Sequence, residues 1–262
     1  MRKFFTLMLI LFLFLSCSPV TNTTTLDNAL TQVATIDALL AGVYDGHMTL
    51  EKLKSYGNFG LGTFDKLDGE MVVLNGVVYQ VKVDGKVYVP DDTLTTPFAA
   101  VSYFKTTEDY ELDDNIEMDS LLSLLDRTIL NKNQFVGIKI TGTFEYMKTR
   151  SVPAQEKPYP PLVEVIPDQA VFEMKNIKGT IVGYFCPEFV EGINVPGYHL
   201  HFLSEDRQKG GHILSLTTDD CKIKLDSYNE FTLILPEDNE DFNNTDLDVD
   251  RSDELDDVEN DD

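Results

Sequence analysis

Imidazole is scarce in this 262-residue chain, yet three of its four histidines, His199, His201 and His212, lie in one stretch, NVPGYHLHFLSEDRQKGGH. In GYHLHF the alternation Tyr198-His199-Leu200-His201-Phe202 is that of a β-strand, whose residues two apart project from one face. The polar segment SEDRQKGG follows as a turn. Gly210-Gly211 is free to lead the backbone back antiparallel, and His212 opens the returning strand HILSL. Three imidazoles then converge from adjacent strands. Imidazole nitrogens at about 2.0–2.1 Å suit Zn2+, and three protein ligands with a fourth position open is the pattern of a catalytic zinc. Neutral ligands leave the ion its full charge, which makes it a strong Lewis acid toward an oxygen-bearing substrate. Imidazole also suits iron, copper and nickel, so the ligand set specifies a metal centre before it specifies zinc. His47, alone after Gly46, is read as an ordinary hydrogen-bonded side chain.

The elements that must position this hairpin are mostly strands. Thr35 reads as the N-cap of a helix carrying Ile36, Leu39, Leu40 and Val43, stopped by Gly46. A second short helix begins at Thr49-Leu50 and ends near Gly57. MVVLNGVVYQVKVDGKVYV alternates β-branched and aromatic residues around Asn75-Gly76 and Asp84-Gly85, both of which favour hairpin turns with positive φ, so it is an antiparallel meander. Asp119 is the expected cap of a helix bearing Leu121, Leu122, Leu125 and Ile129, after which FVGIKITGTFEYMKTR returns to strand periodicity. SVPAQEKPYPPL holds too many prolines for a helix or a central strand and reads as an ordered crossing loop. A second strand-rich block runs from AVFEMKNIKGTIVGYF to FTLILP. With no βαβ alternation and no repeat, the class is α+β, β-dominated, with two domains of mixed β-sheets and few helices. The expected division is a mixed-sheet domain over 35–165, a zinc-binding sheet domain over 166–236 and an acidic tail over 237–262.

The ends carry their own signals. MRKFFTLMLILFLFLSCS places two basic residues before an apolar run too short to cross a bilayer comfortably, the form of an export signal over residues 1–17. A Cys after a small residue at Leu15-Ser16-Cys17-Ser18 resembles a lipoprotein cleavage site, which predicts an exported, membrane-anchored lipoprotein with lipidated Cys17 as its first mature residue. An ordinary cleaved signal and an uncleaved anchor are the alternatives. Residues 18–34, polar and Thr-rich, are the expected tether. The net charge of −24 excludes a nucleic-acid partner, since phosphate binding needs cations to release counterions. Composition alone makes the tail EDNEDFNNTDLDVDRSDELDDVENDD a solvated, partly disordered end. Cys186 and Cys221 make no disulfide framework and are expected as free buried thiols.

Five strings, TIDALLAGVYDG, NFGLGTFDKLDGEM, TRSVPAQEKPYPPL, GTIVGYFCPEF and GINVPGYHLHFLSEDRQKGGH, occur in this order. Together they closely resemble the α-acetolactate decarboxylases over nearly all of 35–236. The resemblance implies a two-domain mixed-sheet fold, possible homodimers, and zinc-dependent conversion of (S)-2-acetolactate to (R)-acetoin and CO2. It implies zinc held by His199, His201 and His212, with Glu70 of LDGEM and Arg150 of KTRSVP completing the site and Thr63 of GTFD close to the substrate. It also implies an acidic residue returning from the tail, Glu259, with Glu254 as the competing register. On its own, Glu70 would read as a turn carboxylate after Asp68-Gly69, and Arg150 as a surface ion-pairing residue. Cys186 stands in GYFCPEF where the family leads one to expect a small polar residue.

The implied chemistry suits these side chains. Acetolactate is a β-keto acid with a neighbouring hydroxyl, so loss of CO2 pushes an electron pair toward the ketone, and zinc would stabilise the charge that develops. Arg150 would hold the carboxylate as a planar fork, and Glu70 would shuttle the proton. Two other readings use the same histidines. A noncatalytic zinc-binding lipoprotein needs only the hairpin and the acidic tail. HLHFLSE also resembles the first metal motif of the cupin barrels, with Glu205 as a ligand, although His212 arrives too early for that family.

Overall fold

The computed structural model describes residues 28–259 and builds them mainly from strands in two large sheets. The first sheet contains β1 (Ala29–Val33), β3 (Phe59–Thr63), β4 (Glu70–Leu74), β5 (Val77–Val81), β6 (Val87–Tyr88), β8 (Ala99–Ser102) and β14 (Glu230–Ile234). Their order is β14-β1-β8-β3-β4-β5-β6, antiparallel except for the parallel pair β1–β14. The second holds β9 (Glu108–Leu112), β10 (Phe135–Ser151), β11 (Ala170–Cys186), β12 (Gly197–Ser204) and β13 (Gly210–Tyr228), all antiparallel, with β10 also paired to β13. β2 (Met48–Thr49) and β7 (Thr95–Thr96) form a small ribbon. The helices are short: α1 (Ile36–Leu40), α2 (Leu50–Lys54), α3 (Met118–Thr128), α4 (Leu162–Val165), α5 (Glu240–Asn244) and α6 (Ser252–Glu259). No described helix is long and apolar enough to cross a membrane.

Local sequence accounts for much of this. The Thr35 hydroxyl accepts from the Ala38 amide and Thr49 caps α2 in the same way, each satisfying a first-turn donor the helix itself leaves open. Asn75 and Gly76 both take positive φ between β4 and β5, as the two-residue hairpin requires. Glu117 occupies the N-cap position of α3 without a side-chain capping bond, and Asp119 falls within the first turn rather than before it. Leu121 and Leu125, one turn apart, are buried against the second sheet.

Two expected boundaries move. The tether over 18–34 ends before Ala29, because β1 is wholly buried between β8 and β14. The polar residues that suggested a linker, Thr31 and Gln32, are buried there, and the Gln32 amide donates to the carbonyls of Ala34 and Ile193. The division at 165/166 does not separate the sheets. β9 and β10 precede it yet belong to the second sheet, and β14 returns to the first, where β1 has a free edge for it to pair. The sheets also share a core, in which Phe59, Leu61 and Val72 pack with Val182, Tyr184 and Leu203. The acidic tail is structured as far as Glu259. The export signal and Cys17 lie outside the described residues.

Candidate metal centre and active site

β12 and β13 deliver the histidines. His199 and His201 lie two apart on β12, and His201 sits directly across from His212 on β13. Their ring centroids are 5.0, 5.1 and 5.3 Å apart, and one ring nitrogen from each falls within 4.8 Å of the others. The glycines that precede His212 serve close packing rather than the turn itself, which is made by residues 205–208. Gly211, at φ +129, lies so near the Arg150 carbonyl that a Cβ would come within 2.3 Å of its oxygen. That contact seats Arg150 of β10 directly across from His212.

The first sheet supplies the opposite wall. Thr63 and Glu70 face each other across β3 and β4, joined by a tight turn in which Gly69 takes φ +86 and its carbonyl accepts from the Thr63 hydroxyl at 2.8 Å. The Glu70 carboxylate comes to 3.6 Å from His201 Nε2. The C-terminal residue of α6, Glu259, lies 3.9 Å from His199 Nε2 and 3.8 Å from His212 Nε2. Arg150, buried, donates from Nη1 to the Val258 carbonyl, while its Nε has no partner.

Burial governs the ionisation of these groups. It pushes His199 down to about 3, with Arg150 adding to the effect. His201 and His212 are held well below the ordinary imidazole value for the same first reason. All three rings are therefore neutral, with lone pairs available to a cation. Glu70 is pushed up to about 7 by burial, opposed by Arg150 and reinforced by Glu259. Glu259 also rises to about 7, with burial again outweighing Arg150.

A metal fits this arrangement. The His201 Nδ1 lies 2.8 Å from the Met71 carbonyl, which fixes the proton on that nitrogen and turns the bare Nε2 inward. That Nε2 is buried with no hydrogen-bond partner, and orphaned buried acceptors are rare unless something else binds them. A ligand histidine held by a backbone carbonyl through its other nitrogen is the usual outer-shell arrangement around a metal.

Thr63, Glu70, Arg150, the three histidines and Glu259 thus line one cavity, whose remaining wall is apolar and includes Leu39, Phe98, Leu162 and Val258. Glu254 is excluded from it and pairs with Arg251 at 3.3 Å. Glu205 is exposed in the turn and is not a ligand, which removes the cupin reading. His47 borders a separate cleft. Cys186 and Cys221 are free, buried and outside the cavity. The Met71 carbonyl and the apolar wall escaped the sequence reading, because a backbone acceptor has no residue-type signature and the wall resembles any core.

The fold and site define a β-rich protein whose mixed and antiparallel sheets enclose a pocket with three histidines that could hold a metal. The chain belongs to the alpha-acetolactate decarboxylase family, whose model matches residues 30–249. It is 46% identical over 232 residues to the alpha-acetolactate decarboxylase of Methanosarcina mazei, covering 88% of this chain and 80% of that one. It is 41% identical to that of Brevibacillus brevis, over 84% and 77% of the two chains. The crystal structure of alpha-acetolactate decarboxylase from Bacillus subtilis superimposes with a TM-score of 0.85 at 35% identity, over 88% of this chain and 98% of that one.

Proposed function

We propose that this protein is a zinc-dependent carboxy-lyase that converts (S)-2-acetolactate into (R)-acetoin and CO2. The observation that carries the reading is the meeting, in one cavity, of three imidazoles with Arg150 and the carboxyls of Glu70 and Glu259. His199, His201 and His212 would hold zinc, which would supply a Lewis acid for the negative charge that develops on the ketone oxygen.

The chain's own residues do the rest. Arg150 presents a planar guanidinium fork to the substrate carboxylate. Its unpartnered Nε is available for that contact. Departure of CO2 breaks the bond to the carboxylate carbon and moves the electron pair toward the ketone. Acetoin then needs one proton at carbon. Glu70 and Glu259 are placed to deliver it, since both carboxyls face the histidines inside the cavity. The Thr63 hydroxyl, with its proton on the Gly69 carbonyl, offers its lone pairs to a substrate hydroxyl. The apolar wall excludes water, which strengthens each of these interactions.

Chiral chromatography of the product tests the assignment. Racemic acetolactate given to the zinc-loaded protein should yield (R)-acetoin in excess, and racemic product at the spontaneous rate would contradict it. Export with lipid attachment at Cys17 is a separate proposal, motivated by LSCS at residues 15–18. The mass of the mature amino terminus decides it, an unlipidated terminus counting against it. A homodimer is the assembly proposed with it, and a monomeric mass in sedimentation would remove that.

A further inference from the structure

The active-site cavity has a volume of about 40 Å3. A water requires roughly 10–15 Å3 of such space, so the chamber holds about three waters. Acetolactate, with five carbons and four oxygens, has about three times as many non-hydrogen atoms as those waters. The three histidines, Glu70 and Arg150 are all less than a tenth exposed, and Glu259 on α6 is only partly buried at their rim.

The element that closes the chamber is α6. Its Val258 and Glu259 line the cavity, and the Val258 carbonyl accepts from Arg150. Five of its eight residues are acidic, and a helix this short does not persist in water without tertiary contacts. Those contacts are few. Leu255 and Val258 pack with Ile36, Leu39, Leu162, Val165 and Ile166. Upstream, α5 is tied down by the ion pair of Lys157 with Asp241 at 2.7 Å. Between the two helices, residues 245–250 are mostly exposed.

We propose that α6 is a lid that swings about residues 245–251 to admit substrate. In this proposal Arg150 latches the lid through the Val258 carbonyl, and Leu255 is a positioning residue that seats Glu259. The proposal rests on the decarboxylase reading for the identity of what is admitted. A carboxylate is a stronger partner for a guanidinium than a neutral carbonyl. Substrate that enters while the lid is open therefore takes Arg150 from the Val258 carbonyl. Reseating Leu255 and Val258 in their apolar cluster returns Glu259 to the site.

Zinc extraction by a chelator too bulky for the cavity tests this on the zinc-loaded full chain. A lid predicts that the extraction rate reaches a plateau as chelator is raised, the plateau being the opening rate. Leu255→Ala, which removes most of the seat, should raise extraction about 30-fold or more. Leu112→Ala, in the other sheet's core, should not, which separates lid opening from general destabilisation. Leu255→Val serves if the alanine variant does not fold. In turnover, Leu255→Ala should lower kcat far more than it changes KM, because Glu259 is misplaced. Extraction that is linear in chelator and equal in wild type and Leu255→Ala would overturn the lid. On the metal-free chain, carbethoxylation of the three histidines gives the same comparison by mass spectrometry. Neither access measurement reads acetoin, so both still test the lid if the decarboxylase reading fails.

Discussion

Replacing Glu70 with Gln isolates its proton from its shape, because the amide is nearly isosteric and its carbonyl can still face His201. Glu70 lies 3.6 Å from His201 Nε2 and titrates near 7, against 4.5 for a free glutamate. General acid–base catalysis contributes roughly 10²–10⁴-fold, about 3–5 kcal/mol of barrier at 1.36 kcal/mol per tenfold. The expected result is a kcat lower by about that range with zinc content unchanged, measured by acetoin formation and metal analysis on one sample. The same substitution has an opposite effect on stability. Because burial raises the folded-state pKa, the neutral acid's stabilising effect is complete below pH 4.5 and is lost as pH rises through about 7. Above pH 7 the ionised side chain therefore destabilises the metal-free fold by about 3 kcal/mol. Metal-free Glu70→Gln should thus be more stable than wild type at pH 8 and no more stable at pH 4. A variant that keeps full activity with zinc bound would refute the proton role. One that shows no pH-dependent difference in urea unfolding would refute the burial argument.

The remaining predictions are simpler to read. His212→Ala removes one of the three proposed ligands and should weaken zinc binding by more than the 10–100-fold typical of losing an outer-shell partner, as measured by competition with a chelating dye. Glu205→Ala, in the exposed turn, should leave zinc content and acetoin formation unchanged. Burial raises the Cys186 thiol and pushes Cys221 up to about 11. Neither should therefore react with a disulfide reagent at pH 8 until the chain is denatured. Phe144, fully buried edge-on against Phe202 with centroids 5.5 Å apart, should cost about 3–5 kcal/mol on replacement by Ala, read from the urea midpoint.

The metal hairpin was legible because its chemistry and its secondary structure share one signal: histidines two apart on a strand, with a third across the turn. Glu70 and Arg150 were legible only through family resemblance. Nothing local distinguishes a buried Arg150 from an ion-pairing one, since the groups around its side chain, among them Val258 of α6, come from far along the chain. Glu259 and Glu254 were ambiguous in an acid-rich string. Packing resolves them, because seating Leu255 and Val258 turns Glu259 inward and leaves Glu254 for Arg251. The misjudged tether shows the same limit. Thr31 and Gln32 read as solvated, but β14, two hundred residues later, covers β1 and buries both.

The most direct test titrates metal-free, signal-free protein with zinc while following acetoin formation from racemic acetolactate. The account predicts activity that rises linearly and saturates at about one zinc per chain, as a single three-histidine site requires. Stoichiometric zinc binding with acetoin no faster than the spontaneous reaction would contradict it and leave a noncatalytic zinc-binding protein.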